Sequence, residues 1–203
     1  MHCRKDKNGS DVMVKKSRLI LFLVLFVLSF AGCSQKSDYE EQLPEIVFIC
    51  ITDNSEISKE IEIQYSFVDK NGNQYVTSDP VVTELGIEKF IEKYSKGDLD
   101  GKIELLKNFD SSLIGDNYKK LRKAALHEDV SLKNHDYYLD VQSVCIRWYG
   151  IIYGNDGNLE IITLHEQHSG DTYSKSDSVN SIYEWYIETF GKSNSPEVVD
   201  NEK

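Results

Sequence analysis

The sequence predicts an α+β domain: a mainly antiparallel sheet built from two β-hairpins plus an N-terminal strand, with helices packed on one face. Three observations predict it. Segments of β character come in pairs, each joined by a turn containing Asn-Gly or Asp-Gly. Segments with helical apolar spacing are grouped between the hairpins and after the second one. Aromatic residues are plentiful, with 12 Tyr and 8 Phe, enough to build a core in one domain.

Residues 45–52 form a continuous apolar run rich in β-branched side chains, which fits a strand buried on both faces. Residues 53–58 are a polar turn. In 60–67, Ile61, Ile63, Tyr65 and Phe67 alternate with Glu60, Glu62, Gln64 and Ser66, so one face of that strand is buried. The turn from Asp69 to Asn73, with Asn71-Gly72 suited to positive φ, returns the chain as a strand over 74–77. Ile87, Phe90, Ile91 and Tyr94 then share one stripe of a helix that stops near Gly97. A second short helix is expected over 102–109, with Leu105, Leu106 and Phe109 inward. A third, opened by Asp116, carries Tyr118, Leu121 and Ala125 on one side and Lys119, Lys120, Arg122 and Lys123 around the other. Residues 128–138 are polar and read as loop.

β character returns over 141–153, where Gln142, Val144, Ile146 and Trp148 alternate with Ser143, Cys145, Arg147 and Tyr149. Gly154-Asn-Asp-Gly157 is a strong turn signal, and residues 159–165 pair back as the second hairpin. A polar stretch over 166–176 precedes a helix with Asp177 as N-cap. Val179, Ile182, Tyr183, Tyr186 and Phe190 form its apolar stripe, and Gly191 is placed to end it. The polar tail 192–203 is expected to be disordered. No internal repeat is visible.

Ahead of this domain the first eighteen residues carry Arg4, Lys5, Lys7, Lys15, Lys16 and Arg18 against Asp6 and Asp11. An apolar run over 19–31 follows, within the ~7–15 residues of a signal h-region and short of the ~20 that span a bilayer. Beyond it the flank turns acidic, with Asp38, Glu40 and Glu41, the orientation expected for export. The run ends in Phe30-Ala31-Gly32-Cys33, which resembles the lipobox of bacterial lipoproteins, usually Leu, a small residue, Gly or Ala, then Cys. Ala31 and Gly32 match; Phe30 stands where Leu is usual. The resemblance covers residues 1–33 and implies that Cys33 is diacylated and becomes the first residue after cleavage. Two acyl chains, at about 0.8 kcal/mol per buried methylene, hold a protein firmly at a membrane. Residues 33–44 then read as a tether, and 45–191 as the folded domain.

Loss of residues 1–32 removes six basic and two acidic residues, leaving 17 Lys+Arg against 32 Asp+Glu and a formal charge of −15. Such a body repels phosphate backbones, so nucleic acid is not an expected partner. Two cysteines remain inside apolar, strand-like runs, Cys50 and Cys145. An exported setting permits a disulfide between them, which would close a loop of ~95 residues and contribute about 4–5 kcal/mol. The alternative is two buried thiols acting as small hydrophobes.

No cluster identifies a reaction. His165 and His168 are three apart, where a zinc protease needs four on a helix, and alternation at a strand end sends them to opposite faces. Asp98-Leu-Asp-Gly101 resembles a calcium loop, but aligning Gly101 with its sixth position puts Lys96 and Lys107 where carboxylates are required. Cys145, between Val144 and Ile146, reads as inert. No catalytic, metal or cofactor residue is therefore assigned. Tyr137-Tyr138 and Tyr173 lie in polar stretches and are the candidates for a contact surface; Trp185 lies off its helix's main stripe, beside Ile182, and is expected to be partly exposed. The expectation is a lipid-anchored extracytoplasmic protein that binds a protein, peptide or cell-wall component. An envelope hydrolase with a carboxylate-based site and a solute-binding lipoprotein are the alternatives.

Overall fold

The apolar run at Ile46–Asp53 forms β1, the middle strand of a seven-stranded antiparallel sheet. The computed structural model describes residues 42–54, 63–133, 144–168 and 170–191, all within the unit Glu41–Lys203. On one side of β1 lie β2 (Ile63–Asp69), β3 (Asn73–Thr77) and β4 (Glu104–Asn108); on the other lie β5 (Cys145–Tyr153), β6 (Leu159–Gln167) and β7 (Asp171–Tyr173). Helices α1 (Pro80–Thr83) and α2 (Ile87–Lys96) follow β3, α3 (Ser111–His127) follows β4, and α4 (Asp177–Phe190) follows β7.

Both predicted hairpins are present. In the first, Asp69 is buried, and its carboxylate accepts from the backbone N–H groups of Asn71 (2.9 Å) and Asn73 (2.8 Å) and from the Tyr94 hydroxyl (3.2 Å). Gly72 sits at φ +85°, and a Cβ there would stand 2.5 Å from the Phe109 carbonyl oxygen, so the turn needs glycine on two counts. The α2 stripe of Ile87, Phe90, Ile91 and Tyr94 packs as its spacing requires, and Gly97 in the left-handed conformation caps it.

The helices, expected on one face, cover both. Phe48, Cys50, Val68, Trp148 and Ile152 meet α3 and α4, while Ile49, Tyr65, Phe67 and Ile151 meet α1 and α2. The reason is in β1 itself: its apolar side chains occupy both parities of the strand, so each face of the sheet centre must be dried. Gly150 on β5 leaves the space into which Leu121 of α3 descends, since a Cβ there would lie 2.1 Å from Leu121 Cδ2.

Five further sequence expectations are corrected. The helix expected over 102–109 is the edge strand β4, with Leu105 and Leu106 50% and 40% exposed; only Phe109 turns inward, against Phe190 at 4.5 Å. The third helix begins at Ser111 rather than at Asp116, because Asp110 accepts the Ser112 N–H as its cap. Ser176 rather than Asp177 caps α4, accepting from Val179 N–H. The polar stretch after His165 contains β7, and Leu43 and Pro44, placed in the tether, are respectively half-buried and buried against the domain. Residues 1–41, 55–62, 134–143 and 192–203 hold the lipobox, the start of the second strand, Tyr137-Tyr138 and the tail; these lie outside the described residues.

Candidate functional site

Helices α3 and α4 run antiparallel across the sheet, tied at both ends. At one end Phe109 and Phe190 are in ring contact; at the other Glu128 accepts hydrogen bonds from Ser176 Oγ (2.5 Å) and Ser178 Oγ (2.7 Å). Those hydroxyls hold the Glu128 carboxyl below the usual carboxylate range, so it is ionised at neutral pH. Inward stripes on the two helices, Ile114, Tyr118, Leu121 and Ala124 against Val179, Ile182, Tyr186 and Phe190, fill the core between them and the sheet. Their outer flanks leave a groove of about 610 Å³, a size typical of ligand sites.

The α3 wall of the groove presents Leu113, Asp116, Lys120 and Lys123; the α4 wall presents Ser178, Ser181 and Trp185, and Ala124 and Ile182 form its floor. Leu113 is 45% exposed although it is large and apolar. Trp185 rests on Phe48 and Phe190, each at 5.5 Å between ring centroids, and its position off the helix's buried stripe brings it to the groove. Trp185, expected only to be partly exposed, is thus in the groove, whereas of the residues expected on a contact surface none of the described ones lines it. Tyr173, 40% exposed, is elsewhere, on the edge strand β7. The α3 contribution was missed by the sequence reading because its helix started one and a half turns late; Asp110, directly before Ser111-Ser112-Leu113-Ile114, was the available signal.

Cys50 and Cys145 are both buried, and no disulfide joins them. In the β1–β5 ladder Cys50 pairs with Trp148 and Cys145 with Asp53, three positions apart, or about 10 Å along the strands. An odd separation also sends the two thiols to opposite faces, which geometry cannot bridge. Burial pushes the Cys50 thiol up to about 12, so it is a protonated, inert wall of a smaller cavity of about 220 Å³ under the C-terminal half of α4.

His165 is buried completely and belongs to an aromatic cluster, not to a metal centre. A bulge in β6 opposite Trp148-Tyr149 turns both Leu164 and His165 toward α4. The ring stacks on Tyr183 at 4.2 Å and meets Tyr173 at 4.5 Å and Trp148 at 5.2 Å. Its Nε2 lies 3.3 Å from Asp171 Oδ1, which makes Nε2–H the proton-bearing position, while Nδ1 is buried without a hydrogen-bond partner. Burial lowers the His165 pKa, with Asp171 opposing, so the ring is neutral at pH 7. His168 lies past the end of β6, and no group of three or more His, Cys, Asp or Glu able to hold a metal occurs among the described residues. Asp98 and Asp100 lie in the turn between α2 and β4, where Leu99 is a core residue. Among the described residues no helix is long and apolar enough to cross a membrane. Comparison with family models, with curated proteins and with solved structures finds no match to this chain.

Proposed function

We propose that this protein is a lipid-anchored extracytoplasmic binding module that engages a cell-envelope partner through the groove between α3 and α4. The observation that carries the binding role is that groove: an apolar floor ending at Trp185 and the exposed Leu113, with a rim of both charge signs. An exposed leucine beside a tryptophan costs solubility, and a partner surface that covers them offsets that cost. The anchoring role rests on the residues 19–33, where a short apolar run leads into Ala31-Gly32-Cys33. A diacylated Cys33 would hold the domain without help from its own surface, leaving the groove free for a partner.

One experiment in the native host addresses both halves. A photo-crosslinking residue placed at Ser181 in the intact chain should yield an adduct in the envelope fraction, and the same residue at Glu84, on the opposite side of the sheet, should not. Mass spectrometry of the same material should find residue 33 as the diacylated N-terminus. Equal adducts at both positions would sink the groove as the binding site; an unmodified Cys33 with the leader intact would sink the anchor.

A further inference from the structure

Six large apolar side chains are exposed among the described residues, and the four leucines, Leu105, Leu106, Leu113 and Leu159, share one half of the sheet. That half is the one where the chain enters. Ile46, the first residue of β1, pairs with Asp69, and the turn that follows brings Asn73 opposite Asn108, the last residue of β4. Glu45 accepts the Lys70 N–H (3.1 Å) and Gly72 accepts the Phe109 N–H (2.8 Å), so chain entry, first hairpin and the start of α3 meet at one end. Leu105 and Leu106 shortly precede Asn108, and Leu113 lies in the first turn of α3. On the other side of β1, Phe48 pairs with Gly150, which brings Tyr153 and its partner Leu159 to the same end. Val81 follows β3 at the opposite end, and Tyr173 stands on β7. Single exposed leucines are ordinary on a protein surface, but four gathered where the chain leaves for Cys33 are not a scatter.

We infer that this end of the domain docks on the lipid surface to which Cys33 is attached, with Leu106 and Leu159 entering the headgroup region. The inference rests on the lipid-anchor half of the proposed function and adds an orientation to it. Cys33 is ten residues ahead of Leu43, which packs on the domain, so the attachment point lies within ~35 Å of Leu43. The eight residues of β1 alone span about 26 Å. Presenting the opposite end of the sheet to the lipid would use most of that reach and strip the connecting residues of their conformational freedom. Leu106 on β4 and Leu159 on β6 are five strand positions apart, about 24 Å, and bracket β1, which gives the domain two footholds. Between them the turns expose the uncharged amides of Asn71, Asn155 and Asn158. Lys70 is paired with Glu45 (2.7 Å) and Lys107 lies over the Phe109 ring (4.8 Å), so both lysines of this end are already engaged. The chain is acidic besides, and the attraction to lipid is therefore apolar rather than electrostatic. Leu113 also forms part of the groove wall and is left to the partner there.

The test uses the full chain as its native host matures it, reconstituted in phosphatidylcholine vesicles with or without bromine on the acyl chains. A fluorophore is attached at Asn155→Cys, in the turn at the docking end, or at Glu84→Cys, at the far end; Cys50 and Cys145 are buried and stay unlabelled. Brominated lipid should dim the probe at 155 about twofold or more and leave the probe at 84 unchanged. The effect should persist at high salt and vanish in the double variant Leu106→Asp/Leu159→Asp; both leucines are exposed, so circular dichroism should show an unchanged fold. Flotation of the vesicles reports the anchor separately. A chain that floats with both probes dimmed equally, or with neither dimmed, overturns the docking while leaving the anchor and the groove intact. Dimming at 155 that survives the double variant overturns the role of the leucines. A chain that does not float overturns the anchor, and the docking with it.

Discussion

His165 shows what a single buried side chain demands of its surroundings. Its neutral ring stacks on Tyr183 and meets Tyr173 at a tilt, and protonation would place a second N–H at Nδ1, which is buried without a hydrogen-bond partner. A histidine whose folded pKa lies below its ordinary 6.5 costs no stability above that value. As pH falls through 6.5 the unfolded chain takes up the proton first, so stability is lost progressively toward the lower folded pKa. The expected outcome is a urea midpoint that falls between pH 8 and pH 5 in the natural chain and falls less in His165→Gln, which cannot be charged. Glu128 and Asp129, whose carboxyls are held below their usual range, stay ionised through this window and do not contribute to the difference. A midpoint that changes equally in both proteins would show that His165 is not the titrating group. The sequence identified His165 as a residue to weigh, but not its setting, because the bulge that re-aims it arises only in the β5–β6 pairing.

At the scale of elements, legibility followed the number of independent signals. Helices α2 and α4 are marked by periodic stripes and by a glycine at the C-terminal end of each, and both lie where those signals put them, α4 with its cap one residue earlier than expected. The segment 102–109 carries one signal, the spacing of Leu105, Leu106 and Phe109, which fits a helix or a strand. What decides it is the open edge of β3, whose backbone groups pair with Glu104, Leu105, Lys107 and Asn108. The consequence is measurable. Leu105→Lys and Leu106→Lys should each change stability by no more than about 0.5 kcal/mol in urea unfolding, because both leucines are exposed. Inward leucines on a packed helix would cost about 2–5 kcal/mol instead, and a loss of that size would refute the edge strand.

For the whole molecule, the decisive fact is that β1 is dried on both faces, which sets Cys50 under α4 and sends Cys145 to the other side of the sheet. Non-reduced peptide mapping should therefore yield no linked Cys50–Cys145 peptide, and alkylation should reach both thiols only after unfolding. Recovery of the linked peptide would require a different strand register. Sequence alone determined the elements whose information is local: the hairpin around Gly72, the periodic stripes of α2 and α4, the continuous apolar run of β1 and the antiparallel α+β class. Tertiary structure alone decided which face each helix covers, that β4 and β7 extend the sheet, and that Leu113 and Trp185 share one groove. The physical reason is that periodicity and capping act within a few residues, whereas a groove, a sheet edge and a cysteine pair depend on contacts between segments far apart in the chain.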